Sequence, residues 1–352
     1  MKTLELDITF GRDYLTNHFG IDFGPDYFQD VQVRAETDVA VKKGLFARFG
    51  NLGIGDPDPP RLVRLGFDDT LSVSLMFGGE LRYGGGITWV EPGSLPAEAM
   101  GQLECPAIKT TWPHTLFQDQ FAKAVSLYGN GSVIPPGAHG ILETAIELRG
   151  SGFLEDLLLR PTKAEHLLDV LMAAVIAVKE FWDGKCYGTV RRNVALGGCS
   201  TTTLSPGVVR SFLVPRYQKI ASRFGDAFMC SCGESTHNLE NFAAVPGARY
   251  VRVGWGTDFT RAAAVLHDRH LKPSLSVFRV ASQPPAEVAA EVVSVLEAVE
   301  PVEHTSLLMI NSGSEMPDAN VRAVVETVVA FAEERRIELR DTPSCALSRR
   351  SL

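Results

Sequence analysis

From about residue 137 onward, short β-type runs alternate with amphipathic helical runs. The predicted strands are 140–147, 190–197, 226–230, 249–254, 274–278 and 306–312. Between them, leucine and valine recur at helical spacing over 167–178, 288–299 and 321–328. This alternation is typical of a parallel sheet covered by helices. It predicts an α/β fold, either a closed (β/α)₈ TIM barrel or an open, doubly wound sheet.

The barrel is the favoured alternative. No Gly-x-Gly-x-x-Gly run opens a helix after a predicted strand, so an open dinucleotide-binding sheet loses its main support. Glycine-rich and proline-rich turns punctuate the first part of the chain. We therefore expect an N-terminal extension or cap over 1–100 packed on the barrel, the barrel itself over 101–340, and a C-terminal tail over 341–352.

Composition excludes several classes of function. The chain has 352 residues, 45% of them hydrophobic, which is enough for a large core. A net charge of −8 and the lack of a Lys/Arg cluster argue against a nucleic-acid partner. Long apolar runs are also lacking, so we expect a cytoplasmic protein with no membrane partner. Six cysteines in such a chain are too sparse for a disulfide framework, and we expect all of them to be reduced.

Three cysteines are the candidate metal ligands. Cys230 and Cys232 alternate along one predicted strand, so both side chains point to the same face, and Gly233 then turns the chain away. Cys199 ends the preceding predicted strand. Thiolates at this placement suit a soft metal ion. The alternatives are inert packing of buried thiols and a redox or nucleophilic role.

In a barrel, catalytic residues lie at the carboxyl ends of the strands. The candidate catalytic carboxylates there are Asp258 and Glu234, and the candidate substrate-binding residues are Trp255, Arg149, Ser314 and Glu315. Asp258 has a second interpretation as a helix N-cap. Glu315 has one as a partner of a helix dipole. Glu234, Glu315 or His237 is also expected to fill or orient the remaining metal position.

Several motifs resemble the uroporphyrinogen decarboxylase superfamily. Its usual run is Leu-Ser-Pro, then Phe-x-x-x-Pro, then His-x-Cys-Gly. The matching residues here are Leu204-Ser205-Pro206, Phe212 with Pro215 and Arg216-Tyr217, Ile220, and Cys230-Ser231-Cys232-Gly233. Arg149-Gly150, Asp156, Pro161 and the segment 311–321 fit as well. The resemblance spans roughly residues 140 to 335 and implies a TIM barrel.

Two branches of that superfamily compete. The decarboxylases carry an N-terminal Arg-Gln-Ala-Gly-Arg segment that nothing here matches. The corrinoid-dependent methyltransferases, including the methylcobamide:coenzyme M enzymes, bind zinc through His-x-Cys and a later cysteine. Here Cys230 stands in place of the histidine and Ser314 in place of the late cysteine, and Cys199 is the substitute third ligand.

The resemblance thus implies a zinc-dependent methyltransferase. It would move a methyl group between a corrinoid and a small thiol or methylated substrate, with zinc holding the thiol as thiolate. No Asp-x-His-x-x-Gly run occurs, so a corrinoid (methylcobalamin) would be carried by a separate partner protein. A homodimer is compatible with the sequence.

Two other functions stay open at this point. One is a cofactor-independent decarboxylase or lyase acting on a small carboxylic acid, with Asp258, Arg149 and Arg192 as its polar groups. The other is a non-catalytic thiol-binding or metal-binding module on the same fold.

Overall fold

The computed structural model describes residues 3–68, 71–138, 140–300, 304–311 and 313–344. Its strands are β1 (Thr3–Phe10), β2 (Val63–Arg64), β3 (Glu80–Gly84), β4 (Ile87–Glu91), β5 (Val133–Ile134), β6 (Asn193–Gly197), β7 (Asp226–Cys230), β8 (Ala248–Val253), β9 (His270–Pro273), β10 (His304–Asn311) and β11 (Glu338–Ser344). Seven of them form one parallel sheet in the order β11-β1-β10-β9-β8-β7-β6.

Fifteen α-helices accompany the strands within the described ranges. They are α1 (Arg12–Phe19), α2 (Pro25–Gln29), α3 (Val31–Phe49), α4 (Leu71–Met76), α5 (His114–Tyr128), α6 (Ile141–Arg149), α7 (Gly152–Leu159), α8 (Pro161–Tyr187), α9 (Pro206–Val208), α10 (Val214–Phe224), α11 (Leu239–Ala243), α12 (Phe259–Val265), α13 (Val277–Ser282), α14 (Pro285–Ala298) and α15 (Asp318–Glu334). None of the described helices combines the length and apolarity needed to cross a membrane.

The predicted α/β class is confirmed, but closure of the sheet is not shown. The hydrogen-bonded ladder runs from β11 to β6, and no pairing joins these two edge strands among the described residues. β1 lies between β10 and β11, so the first strand of the expected extension belongs to the main sheet. The division of the chain near residue 100 stays a prediction, and residues 345–352 of the expected tail lie outside the described residues.

Most predicted elements occur near their predicted positions. The strand 226–230 is β7, and 190–197, 249–254 and 306–312 correspond to β6, β8 and β10, with residue 312 outside the described residues. The three runs of helical periodicity are α8, α14 and α15.

Two predicted strands are wrong. The run 140–147 is helix α6, whose buried residues Ile141, Leu142, Ala145 and Leu148 follow helical spacing. The run 274–278 begins just after β9 ends. There the Ser276 side chain accepts a hydrogen bond from Arg279 N at 3.3 Å and caps α13.

The main sheet has one apolar and one polar face. Along β1, the residues Leu4, Leu6, Ile8 and Phe10 are buried in the hydrophobic core, while Glu5, Asp7 and Thr9 between them are half-buried. Polar residues from neighbouring strands meet on that second face, called here the polar face. Its contacts include the ion pair Lys272–Asp7 and the hydrogen bond from Ser306 Oγ to Glu5 Oε2 at 2.8 Å.

Polar contacts also fix the helices around the sheet. Tyr14 Oη and Arg48 Nε donate to the two carboxylate oxygens of Asp318, at 3.0 and 2.6 Å, and join the N-terminal region to the start of α15. Arg149 Nε and Arg160 Nη1 donate to the fully buried Asp156, at 2.9 and 2.6 Å. The second contact set ties α6 to α7 and α8, and it uses Arg149 as a structural cation.

The buried His114 predicts an acid-sensitive core. Trp182 Nε1 donates to His114 Nδ1 at 3.0 Å, and burial lowers the pKa of His114 to about 4. Because the unfolded pKa is about 6.5, this contribution is complete above that pH and is lost as the pH falls toward 4. We expect the free energy of unfolding to drop by about 2 kcal/mol from this group between about pH 7.5 and pH 5.

Urea unfolding at the two pH values measures the effect. We expect a His114→Leu variant to have a lower free energy of unfolding at both pH values. The part of the acid-dependent loss that comes from titration of His114 should be missing in this variant. An equal loss in wild type and variant would contradict the assignment.

Candidate metal centre

Three cysteine side chains meet at the carboxyl end of β6 and β7. The Sγ atoms of Cys199 and Cys230 lie 3.8 Å apart, as do those of Cys230 and Cys232. The Sγ atoms of Cys199 and Cys232 are 2.7 Å apart. All three sulfurs lie within 4.8 Å of one another, which makes them the candidate metal ligands among the described residues.

Backbone register produces this convergence. Gly197 of β6 pairs with Cys230 of β7, and Cys199 follows two residues later in a 3₁₀ turn, Cys199–Thr203. The alternation of the two cysteines predicted that Cys232 also belongs to the strand. β7 ends at Cys230, however, and Cys232 lies in the following loop. Cys105, Cys186 and the three clustered cysteines are free thiols, whereas Cys345 lies outside the described residues.

A network of hydroxyl groups holds the loop that carries Cys232. Ser231 and Ser235 are buried, and their Oγ atoms lie 2.6 Å apart. Ser235 N donates to Thr257 Oγ1 at 3.1 Å, and Ser235 Oγ donates to Gly233 O at 2.9 Å. The loop is therefore fixed to the polypeptide that follows β8.

The crowded thiols are poorly disposed to ionise by themselves. Hydrogen bonds with Cys230 and Cys232, together with burial, raise the pKa of Cys199 far above its usual value. The hydrogen bond from Cys199 lowers the pKa of Cys230, but its hydrogen bond to Cys232 and its burial bring that pKa to about 12. A cation would supply the missing compensating charge.

The donor set fits a tetrahedral Zn²⁺. Zn–S bonds of about 2.3 Å place two ligand sulfurs about 3.8 Å apart in a tetrahedron. Two of the three measured separations have this value, and the 2.7 Å pair must open by about 1 Å to match it. Cys232 is exposed and lies in a loop, so a small movement of its side chain suffices.

Two charged residues beside the cysteines were missed by sequence reasoning. Arg252 of β8 pairs with Cys230 in the sheet, and its Nη1 lies 3.7 Å from Cys230 Sγ. Glu143 of α6 accepts a hydrogen bond from Ser200 N at 2.9 Å, which anchors the turn of Cys199. The two-residue periodicity of β8 could have placed Arg252 on the same face as Cys230. Glu143 could not be found in this way, because the segment predicted as a strand over 140–147 is helix α6.

The predicted catalytic carboxylates are both exposed, and they have local partners. Asp258 caps α12 by accepting from Arg261 N at 2.9 Å, so its N-cap interpretation describes what it does here. Glu234 accepts from Thr236 N at 2.6 Å and pairs with His237 Nδ1 at 3.3 Å. Burial raises the pKa of Glu234, but these contacts outweigh it and lower that pKa overall. Catalytic roles for both stay predictions.

The predicted substrate-binding residues occupy different settings. Trp255 is 44% exposed and meets the ring of Phe278 edge-on, with centroids 6.0 Å apart. Ser314 O accepts from Asn17 Nδ2 at 2.8 Å, and Glu315 is exposed. Arg149 forms an ion pair with the buried Asp156. Substrate contacts by any of them stay predictions.

Gly254 gives a direct test of how the Cys232 loop is seated. A β-carbon at this position would lie 2.1 Å from Cys232 O and 2.4 Å from Gly233 N, both backbone atoms. We expect Gly254→Ala to displace Cys232 and to weaken zinc binding on the order of 10-fold or more. Competition with a chromophoric chelator measures the affinity.

The matched control is Gly184→Ala in α8, where no atom lies within 4 Å of the added carbon. Its zinc affinity should equal that of the wild type. Unchanged affinity in Gly254→Ala would show that the seating of the loop does not matter for the metal.

Comparisons with known proteins show the fold alone. No family model matches the chain, and no curated protein matches it either. The chain is similar to the solved structure of a methyltransferase from Methanosarcina mazei, with a TM-score of 0.68 and 19% sequence identity. That similarity covers 94% of each chain.

Proposed function

We propose that this protein is a zinc-dependent methyltransferase of the uroporphyrinogen decarboxylase superfamily. It moves a methyl group between a corrinoid carried by a separate protein and a small thiol or methylated substrate. The observation that carries the proposal is the convergence of three cysteine sulfurs, from two neighbouring strand ends, within 4.8 Å of one another. Likeness of fold to a methyltransferase from Methanosarcina mazei adds support.

Cys199, Cys230 and Cys232 are the residues that would hold the metal. Bound Zn²⁺ would act as a Lewis acid that stabilises a substrate sulfur as thiolate, the nucleophilic form, near neutral pH. The corrinoid would supply or accept the methyl group. Three protein ligands leave one position of a tetrahedral site for the substrate.

The rest of the site holds the thiolates in place and adjusts their charge. Three thiolates and one Zn²⁺ carry a net charge of about −1, and the Arg252 guanidinium 3.7 Å from Cys230 Sγ compensates it. Glu143 positions Cys199 through the backbone of Ser200. The exposed rings of Trp255 and Phe278 would form part of the wall that a partner or substrate approaches.

No contact among the described residues specifically favours the cofactor-independent decarboxylase. Arg149 is paired with the buried Asp156, and Asp258 caps a helix. Arg192 precedes β6, at the end of that strand opposite to Cys199. The polar groups named for that reaction thus lie apart or have structural partners.

Metal analysis of the purified protein tests the proposal. We expect about one zinc per chain in the wild type, and strong depletion in Cys230→Ser, Cys232→Ser and Cys199→Ser, because serine is a poor ligand for zinc. Cys105→Ser is the matched control, since its exposed thiol lies outside the cluster, and it should retain full zinc.

The second readout is methyl transfer from methylcobalamin to a thiol, which is monitored by the absorbance of the corrinoid. The same three variants should lose it. A wild-type protein free of metal, or one whose cluster variants keep all of their zinc, would overturn the proposal.

A further inference from the structure

Two of the three clustered cysteines lie closer together than zinc requires. The Sγ atoms of Cys199 and Cys232 are 2.7 Å apart, whereas sulfur ligands of a tetrahedral zinc lie about 3.8 Å apart. A disulfide bond is about 2.05 Å long, so the two sulfurs must approach by roughly 0.7 Å to form one. They must separate by about 1 Å to share a zinc ion. The pair thus lies between two chemical states, and the smaller movement leads to the disulfide.

Backbone register brings these two residues together. Gly197 of β6 is paired with Cys230 of β7, and Cys199 and Cys232 each follow a member of that pair by two residues. Both cysteines therefore leave the sheet at neighbouring strand ends. They are 33 positions apart in the chain, so a bond between them would join the two strand ends directly.

Cys230 is the sulfur that stays outside this pair. Its Sγ lies 3.8 Å from each of the other two sulfurs, and Arg252 Nη1 lies 3.7 Å from it. A guanidinium beside a sulfur favours its charged form and holds it in position. Cys230 therefore stays unbonded when its two neighbours are oxidised.

Exposure to solvent decides which sulfur of the pair reacts first. Cys232 is exposed in the loop after β7, whereas Cys199 is half-buried in its 3₁₀ turn. Thiol–disulfide exchange needs an attacking sulfur that the small disulfide can reach. Cys232 is therefore the attacking thiol, and Cys199, with its Sγ 2.7 Å away, is the resolving thiol.

We propose that Cys199 and Cys232 form a reversible disulfide by exchange with a small-molecule disulfide. Cys232 Sγ, as thiolate, attacks one sulfur of the small disulfide, whose S–S bond breaks and releases one thiolate. Cys199 Sγ then attacks Cys232 Sγ, which breaks the mixed disulfide and releases the second thiolate. The two thiol protons of the protein pass to the released thiolates. The protein thus loses two electrons and two protons, and the small disulfide gains them.

This bond and the metal exclude each other. Zinc binds cysteine as thiolate, and a disulfide sulfur carries no such charge. After oxidation, Cys230 alone is left of the three candidate ligands, and one thiolate does not make a zinc site. Bound zinc, in turn, separates Cys199 from Cys232 and protects both. The exclusion of metal rests on the proposed function, whereas formation of the disulfide does not.

Oxidation of the full-length, zinc-free protein by mixtures of oxidised and reduced glutathione tests the proposal. The background is Cys105→Ser with Cys345→Ser, which removes the exposed thiol outside the cluster and the thiol outside the described residues. Tryptic digestion leaves Cys199 in 193–210 and the other two cluster cysteines in 224–249. Mass spectrometry should detect a bond between these two peptides, and dithiothreitol should reverse it.

Three serine variants identify the bonded pair. Cys230→Ser is the matched control and should retain the link, since it keeps both partners. Cys232→Ser should lose it. Cys199→Ser should also lose it and accumulate glutathione on peptide 224–249, because the nearest remaining sulfur is 3.8 Å from Cys232. A link that survives in Cys232→Ser but is lost in Cys230→Ser would overturn the assignment, as would a background protein that forms no link.

Zinc provides the second readout. Because zinc binds only the reduced protein, free zinc buffered at about 10 times its dissociation constant should lower the ratio of oxidised to reduced protein about 10-fold at a fixed glutathione ratio. Oxidation of the zinc-loaded protein should release the metal to a chromophoric chelator. An oxidised protein that keeps its zinc would overturn the exclusion of metal by the disulfide.

The two proposals fail differently. A protein that forms the bond but never binds zinc overturns the proposed function and supports the disulfide. A zinc protein whose Cys199 and Cys232 stay unbonded at every glutathione ratio overturns the disulfide and leaves the proposed function intact.

Discussion

Mutual repulsion between thiolates is the constraint on which the site depends. Three thiols within 4.8 Å cannot all become thiolates unless a cation lies among them. The surrounding structure brings them together nevertheless: strand register aligns Cys230 with Gly197, a short turn returns Cys199, and a hydroxyl network fixes the loop of Cys232. Backbone geometry thus places three thiols where a soft metal ion would stabilise their ionised form.

Periodicity allowed much of the fold to be predicted. The runs of valine and leucine that became α8, α14 and α15, and the apolar run of β7, each carry a clear period. The failures came where a short apolar run fits both the helical and the strand periodicity. Residues 140–147 contain apolar residues at both spacings, and in the fold they form a helix that packs against α8, α4 and α7 as well as β6. Closure of the sheet is a long-range property that no local pattern encodes.

The site was predictable only in part, for a similar reason. Cys230 and Cys232, which are separated by one residue, are an evident candidate pair in the sequence. Cys199 could be added to them because it lies at the end of a neighbouring predicted strand. Arg252 and Glu143 join them through register and helix placement, which sequence alone does not give. Asp258 and Glu234 had the right residue type near the right strand ends, but a carboxylate after a strand serves a helix N-terminus as readily as a substrate.

The position of β1 has a consequence for how the chain folds. Its two neighbours in the sheet are β10 and β11, so Thr3 pairs with His304 and Glu338, roughly three hundred residues away. During synthesis, which proceeds from the N-terminus, this strand has neither of its sheet neighbours until the roughly three hundred residues that separate it from β10 have been made. Its apolar residues stay unpaired during that time, so β1 reaches its native place later than strands whose partners are near in sequence.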